Sequence, residues 1–161
     1  MLKLPDIPAD ATKEQRYREI IPQIESLISS ETDRTAALGN VAALLHGYMG
    51  FFWTGFYLVK NGELVLNAFQ GPVACSSIKH GHGVCGTAWA QRQTIVVDDV
   101  DKFPGHIACS SLSRSEIVVP LLKNGETLGV LDIDSEHLAT FDNIDKEMLE
   151  ELCNIVTEIC F

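Results

Sequence analysis

Residues 115–135 read SEIVVPLLKNGETLGVLDIDS. Two apolar, β-branched runs flank Lys123-Asn124-Gly125, and an Asn-Gly pair between such runs marks a tight hairpin turn. In the second run Asp132 and Asp134 stand two apart, so a strand puts both on one face, while Leu131 and Ile133 take the other. Two acids in an apolar strand are costly to bury, so their face borders either solvent or a polar pocket. Where Glu116 points depends on the turn. A two-residue Asn124-Gly125 loop pairs Lys123 with Glu126 and turns Glu116 away from the aspartates. A three-residue loop with Gly125 as a bulge pairs Leu122 with Glu126 and sets Glu116 opposite Asp132. The second register keeps Ile117, Val119 and Leu121 on the side of Leu131 and Ile133, and we adopt it. It gathers Glu116, Asp132 and Asp134 on one face, where like charges need a cation or a shared proton. Such a set suits an ammonium group or a general acid of raised pKa. The plain alternative is a solvated sheet face.

The same Lys-Asn-Gly-Glu turn occurs at residues 60–63. It joins a strand over 51–59 to a partner over 63–69. Trp53, Gly55 and Tyr57 share one face of the first strand, and Phe52, Phe56 and Leu58 the other. Both faces are apolar, which predicts a central strand, and core packing is the plain reading of Trp53 and Tyr57. Upstream, Thr12 with Gln15 fits a capping box for a helix over 13–29, with Pro22 inside it as a kink or a fresh start. Ser30 or Thr32 caps a second helix over 32–48. A short helix over 83–91 and a short strand over 94–97 precede a long loop over 98–112. Phe141 and Asp142 open a closing helix to residue 160, with Ile144, Met148, Leu149, Leu152, Ile155, Val156 and Ile159 as its buried stripe. This order predicts an α+β fold with a mainly antiparallel central sheet and the N- and C-terminal helices packed on one face. The whole of residues 1–161 is expected to form a single domain, with 1–11 as an irregular arm.

The chain carries 12 Lys and Arg against 22 Asp and Glu, a net charge of −10. With so few, scattered basic residues, neither nucleic acid nor an anionic membrane surface is an expected partner. No apolar run approaches the roughly 20 residues that span a bilayer, and the N-terminus does not read as a secretion signal. An odd count of five cysteines then points to a reducing, cytoplasmic setting.

Cys75, Cys85 and Cys109 all fall in the glycine- and proline-punctuated stretch 71–109, together with His80, His82 and His106. Cys85 sits near a predicted helix start, where the dipole lowers a thiol pKa. Two chemistries suit the set. One is metal binding by cysteine and histidine, weakened by the lack of any Cys-x-x-Cys pair. The other is thiol redox work, in which a sulfenic acid condenses with a second thiol. Cys153 and Cys160 share a helix face and read as packing residues.

Five segments, WTGFYL, FQGPVAC, GHGVCGTA, FPGHIACSSLSRSEIVVPL and GVLDIDS, together resemble the free methionine-(R)-sulfoxide reductases, which are built on a GAF domain. The resemblance runs from about Trp53 to the last helix; the N-terminal helices match only in kind. It implies a GAF-like fold and reduction of the R epimer of free methionine sulfoxide, with no cofactor and no metal. It implies Cys109 as nucleophile, Cys75 as the main resolving thiol through a disulfide with Cys109, Cys85 as an alternative or auxiliary one, and thioredoxin as reductant. Glu116, Asp132 and Asp134 would hold the substrate ammonium, one of them giving a proton to the sulfoxide oxygen, and Trp53 and Tyr57 would wall the pocket. Rival expectations are a ligand-sensing GAF module without chemistry, a Cys/His zinc protein and a cysteine-linked chromophore carrier. Whether the protein forms a homodimer is left open by the sequence.

Overall fold

The computed structural model describes residues 6–161. The irregular arm expected over 1–11 therefore lies partly outside the described residues. The described part of it, 6–11, holds one turn, closed by the Ala11 N–H donating to the Pro8 carbonyl at 3.0 Å.

Helix α1 (Lys13–Ile28) begins with the expected capping box between Thr12 and Gln15 and runs unbroken through Pro22. Helix α2 (Arg34–Met49) is capped by the Asp33 carboxylate, not by Ser30 or Thr32, and so starts later than expected. A carboxylate at the cap accepts from the open N–H groups and also meets the positive end of the helix dipole. Strands β1 (Trp53–Lys60) and β2 (Glu63–Gln70) form the first hairpin. The short strand β3 (Ser77–Lys79) then pairs with β2 through Glu63↔Lys79 to Val65↔Ser77, in a stretch that reads as loop from its polar composition. Helix α3 (Gly83–Gln91) and strand β4 (Ile95–Val97) follow. Strands β5 (Ser115–Lys123) and β6 (Glu126–Ser135) form the second hairpin, and α4 (Asn143–Cys160) closes the chain.

The six strands form one antiparallel sheet in the order β3-β2-β1-β6-β5-β4, so β1 is central as its two apolar faces require. Its edges are three-residue strands, which leaves little open backbone for another chain to pair with. Helices α1, α2 and α4 cover one face, burying Tyr17, Ile24, Leu38 and Leu152 against Phe56, Ile117, Leu131 and Ile133. The other face carries α3 and a second cluster built on Trp53, Tyr57, Val84, Val118 and Val130. Phe52 was expected beside Phe56 and Leu58, but it precedes β1 and packs against this second cluster. In α4, Met148, Leu149, Leu152 and Val156 are buried as read, whereas Ile144 and Ile159 at its two ends are exposed.

The second hairpin differs from its expected register in an instructive way. Asn124 and Gly125 both have positive φ, 52° and 77°, and make a two-residue turn that pairs Lys123 with Glu126. Such a turn alone would point Glu116 away from the aspartates. Leu122 pairs with Thr127 but Leu121 pairs with Gly129, so one extra residue is spent on β6 as a bulge. The bulge restores the parity. Glu116 shares the aspartates' face, but its direct partner is Asp134, and Asp132 lies opposite Val118.

Candidate active site

The sheet face under α3 holds a pocket. Trp53 and Tyr57 reach it from β1, Glu116 from β5, and Asp132 and Asp134 from β6. Cys85 comes from the first turn of α3 and Cys109 from the long loop after β4. Seven of the eight residues singled out from the sequence thus line one cavity. The eighth, Cys75, joins it through a disulfide to Cys109, whose Cα atoms lie 5.4 Å apart. Two bonds from β1 hold the Cys75 loop: the Trp53 indole N–H donates to the Pro72 carbonyl at 2.9 Å, and the Tyr57 hydroxyl to the Cys75 carbonyl at 2.9 Å.

The aromatic wall depends on a missing side chain. The Trp53 ring lies 5.4 Å from Phe69 and 6.1 Å from Tyr57, centroid to centroid, passing over Gly55. A Cβ on Gly55 would come within 2.5 Å of both the indole and Phe69. Glycine therefore makes room for the ring to lie along the strand.

Glu116 and Asp132 are only 6% and 7% exposed. Burial pushes Glu116 well above the usual carboxylate range, and the neighbouring charges of Asp132 and Asp134 push it further. Asp134 is raised by burial and by Asp132, with a hydrogen bond from Ser113 opposing. Asp132 is pushed up to about 6 by burial, with hydrogen bonding to Glu116 and Cys85 pulling the other way. The cluster therefore binds protons readily near neutral pH. No Lys or Arg lines the pocket among the described residues. The one nearby base is His106, whose Nε2 is 3.8 Å from a Glu116 oxygen and whose pKa burial lowers.

The three thiols part company. Cys85 is buried and free. Burial and the adjacent acids raise its pKa well above the usual thiol range, overriding the expected lowering by the α3 dipole. His80 packs edge-on against Trp89 at 4.6 Å, as a turn residue would. Among the described residues, the donors close enough to share a metal ion are Cys85, Glu116 and Asp132, and no histidine is among them.

A GAF domain family model matches residues 31–159. The chain is 40% identical over 161 residues to the free methionine-R-sulfoxide reductase of Saccharomyces cerevisiae, covering 94% of this chain and 89% of that one. The chain belongs to the free methionine-R-sulfoxide reductase family of GAF domains. A further relative is GAF domain-containing protein A of Dictyostelium discoideum, 54% identical over 146 residues, covering 90% of this chain and 92% of the relative. The fold superposes with a TM-score of 0.94 on a free methionine-R-sulfoxide reductase from Neisseria meningitidis solved in complex with its substrate. That protein is 54% identical, over 98% of this chain and 96% of the other.

One lining residue escaped sequence reasoning. Ser113 bonds Asp134 from the loop before β5. The sequence signal of Ser113 is a hydroxyl four residues from Cys109 and three from Glu116. His106, weighed from the sequence as a metal ligand beside the cysteines, lines the pocket and faces Glu116 from the loop that bears Cys109.

Proposed function

We propose that the protein reduces free L-methionine-(R)-sulfoxide to L-methionine, with Cys109 as nucleophile and Cys75 as the resolving thiol. The observation that carries this reading is a Cys75–Cys109 disulfide beside a pocket lined by three acids, in a chain of this family.

The substrate enters with its ammonium toward Asp132 and Asp134, where no Lys or Arg among the described residues competes for the acids. Its methyl and thioether lie against Trp53 and Tyr57. The Cys109 thiolate attacks the sulfoxide sulfur. A protonated carboxyl, which we assign to Glu116 because it faces the Cys109 loop through His106, gives its proton to the sulfoxide oxygen. The oxygen passes to Cys109 as a sulfenic acid, and methionine leaves. Cys75 then attacks the Cys109 sulfur, water departs, and the disulfide forms. Thioredoxin, a dithiol, reduces the disulfide and is itself oxidised, in keeping with a reducing cytoplasmic setting. Cys85 serves as an auxiliary thiol at most, because its raised pKa leaves little thiolate.

The test supplies the separate epimers of free methionine sulfoxide with thioredoxin, its reductase and NADPH. NADPH loss with the R epimer alone, abolished by Cys109→Ser, is the expected result. Turnover of neither epimer would sink the reading. Cys75→Ser should give about one turnover per chain and then stall; sustained cycling would make Cys85 the resolver.

A further inference from the structure

We infer that Cys85, Glu116 and Asp132 also form a binding site for a single divalent cation of the zinc–cadmium class. The Cys85 sulfur and one oxygen from each carboxyl lie within 4.8 Å of one another, and all three residues are buried. Each comes from a different packed element, α3, β5 and β6, so the donors are held by the core and not by loops. The Asp132 Oδ1 atom is buried with no hydrogen-bond partner, in a residue only 7% exposed. A buried acceptor without a donor is costly, and a bound cation would satisfy it. No Lys or Arg among the described residues lines the pocket to supply that charge.

The donor types select the ion. One sulfur with two carboxylate oxygens disfavours magnesium and calcium, which take oxygen alone, and suits zinc or cadmium. Three protein donors leave a fourth tetrahedral position for water. The site uses neither Cys75 nor Cys109, so it is complete while their disulfide is closed. Glu116 and Asp132 also belong to the acid cluster proposed to receive the substrate ammonium, so ion and substrate exclude each other. That consequence rests on the proposed function; the ion site itself does not.

The experiment titrates the metal-free, disulfide-bonded protein with Co²⁺ and then Zn²⁺. One Co²⁺ per chain is expected, with thiolate-to-cobalt charge-transfer absorption that Zn²⁺ abolishes. The band should vanish in Cys85→Ser, and Glu116→Gln should weaken Zn²⁺ binding at least tenfold, while the Cys153→Ser/Cys160→Ser double variant keeps both band and affinity. Circular dichroism checks that each variant is folded. No band, a band that survives Cys85→Ser, or one lost in the double variant would overturn the site. Saturating L-methionine should then raise the apparent Kd for Zn²⁺ at least tenfold. Binding at Cys85 that ignores methionine would leave the ion site standing and remove the ammonium assignment.

Discussion

The hydroxyl of Tyr57 donates to the backbone carbonyl of Cys75 across 2.9 Å, fastening the loop that bears one half of the disulfide to the central strand. Burial raises the phenol pKa, so the group stays a neutral donor throughout the working pH range. In Tyr57→Phe the ring remains and the tether goes. One such bond is worth about 1 kcal/mol, enough to let the Cys75 loop sample open positions several times more often. The expected outcome is a sulfenic acid at Cys109 that persists longer and is captured several-fold more by a carbon-acid trapping reagent, with KM changed little. Unaltered trapping would mean the bond does not position Cys75.

Asp134→Asn separates substrate capture from thiol chemistry. A charged hydrogen bond contributes about 1.5–3 kcal/mol, so kcat/KM should fall roughly 10- to 150-fold, mainly through KM. Alkylation of reduced Cys109 by iodoacetamide should keep its rate. The variant should melt no lower than the parent, because one of three mutually repelling acids has lost its charge. Equal losses in substrate turnover and alkylation would make Asp134 a structural residue.

Gly55→Ala tests the aromatic wall. The new methyl would sit within 2.5 Å of Trp53 and Phe69, so the indole must swing out of its place beside Tyr57. Overpacking of this kind costs about 1–3 kcal/mol. A blue- or red-shifted Trp fluorescence and a kcat/KM loss larger than the loss in stability are expected. A variant with parental fluorescence and activity would show that the wall is not shaped by this glycine.

The helical layer has its own pinned junction. Fully buried Asp145 accepts from the Tyr17 hydroxyl at 2.7 Å and from Lys13, and it closes the α4 capping box. Asp145→Ala strands the Tyr17 hydroxyl and should cost about 3–5 kcal/mol. At about 2–4 °C per kcal/mol for a chain of this size, Tm should drop by roughly 6–20 °C. Activity well below the melt should persist, since the junction lies across the sheet from the pocket.

Asp142 in the same junction gives a pH-dependent prediction. Its slight burial favours the neutral form. The Lys13 ammonium at 3.1 Å and the N–H groups of Asp145 and Ile144 outweigh this and hold it below the usual carboxylate range. A folded-state pKa that is depressed stabilises the fold above the unfolded value of about 3.9, and the benefit disappears as pH falls through the folded value. Asp142→Asn keeps a good cap and removes only the charge. The Tm gap between parent and variant should therefore be present at neutral pH and close in acid. A gap independent of pH would assign the effect to the cap alone.

Much of this was legible in the residues themselves. Caps such as Thr12 and Asp142 and the two Lys-Asn-Gly-Glu turns act locally, so their chemistry is written in adjacent positions. Strand β3 was not legible, because Ser77–Lys79 has one buried side chain and is a strand only by leaning on β2. The ends of α4 misled too: Ile144 and Ile159 keep the helical period but stand partly open to solvent at the two ends of the helix. At the site, the acids' shared face followed from the apolar pattern of β5 and β6, while their true pairing did not. The bulge at Leu128 is marked only by the neighbouring Gly129, which has no room for a Cβ against Tyr57 and Leu58, and Cys85 shows a thiol whose surroundings, not its place on a helix, set its acidity.

That bulge gives the hairpin the role of a counter. A β-strand has only two sides, and in this hairpin one belongs to the helical core and the other to the pocket that holds the acids. The extra residue between Glu126 and Gly129 decides which is which for everything upstream in β5. Deleting Leu128 would shorten the protein by one part in 161, yet it would carry either Glu116 or both aspartates into the helical core. Point changes in this hairpin can be gradual in effect; a change of length by one cannot.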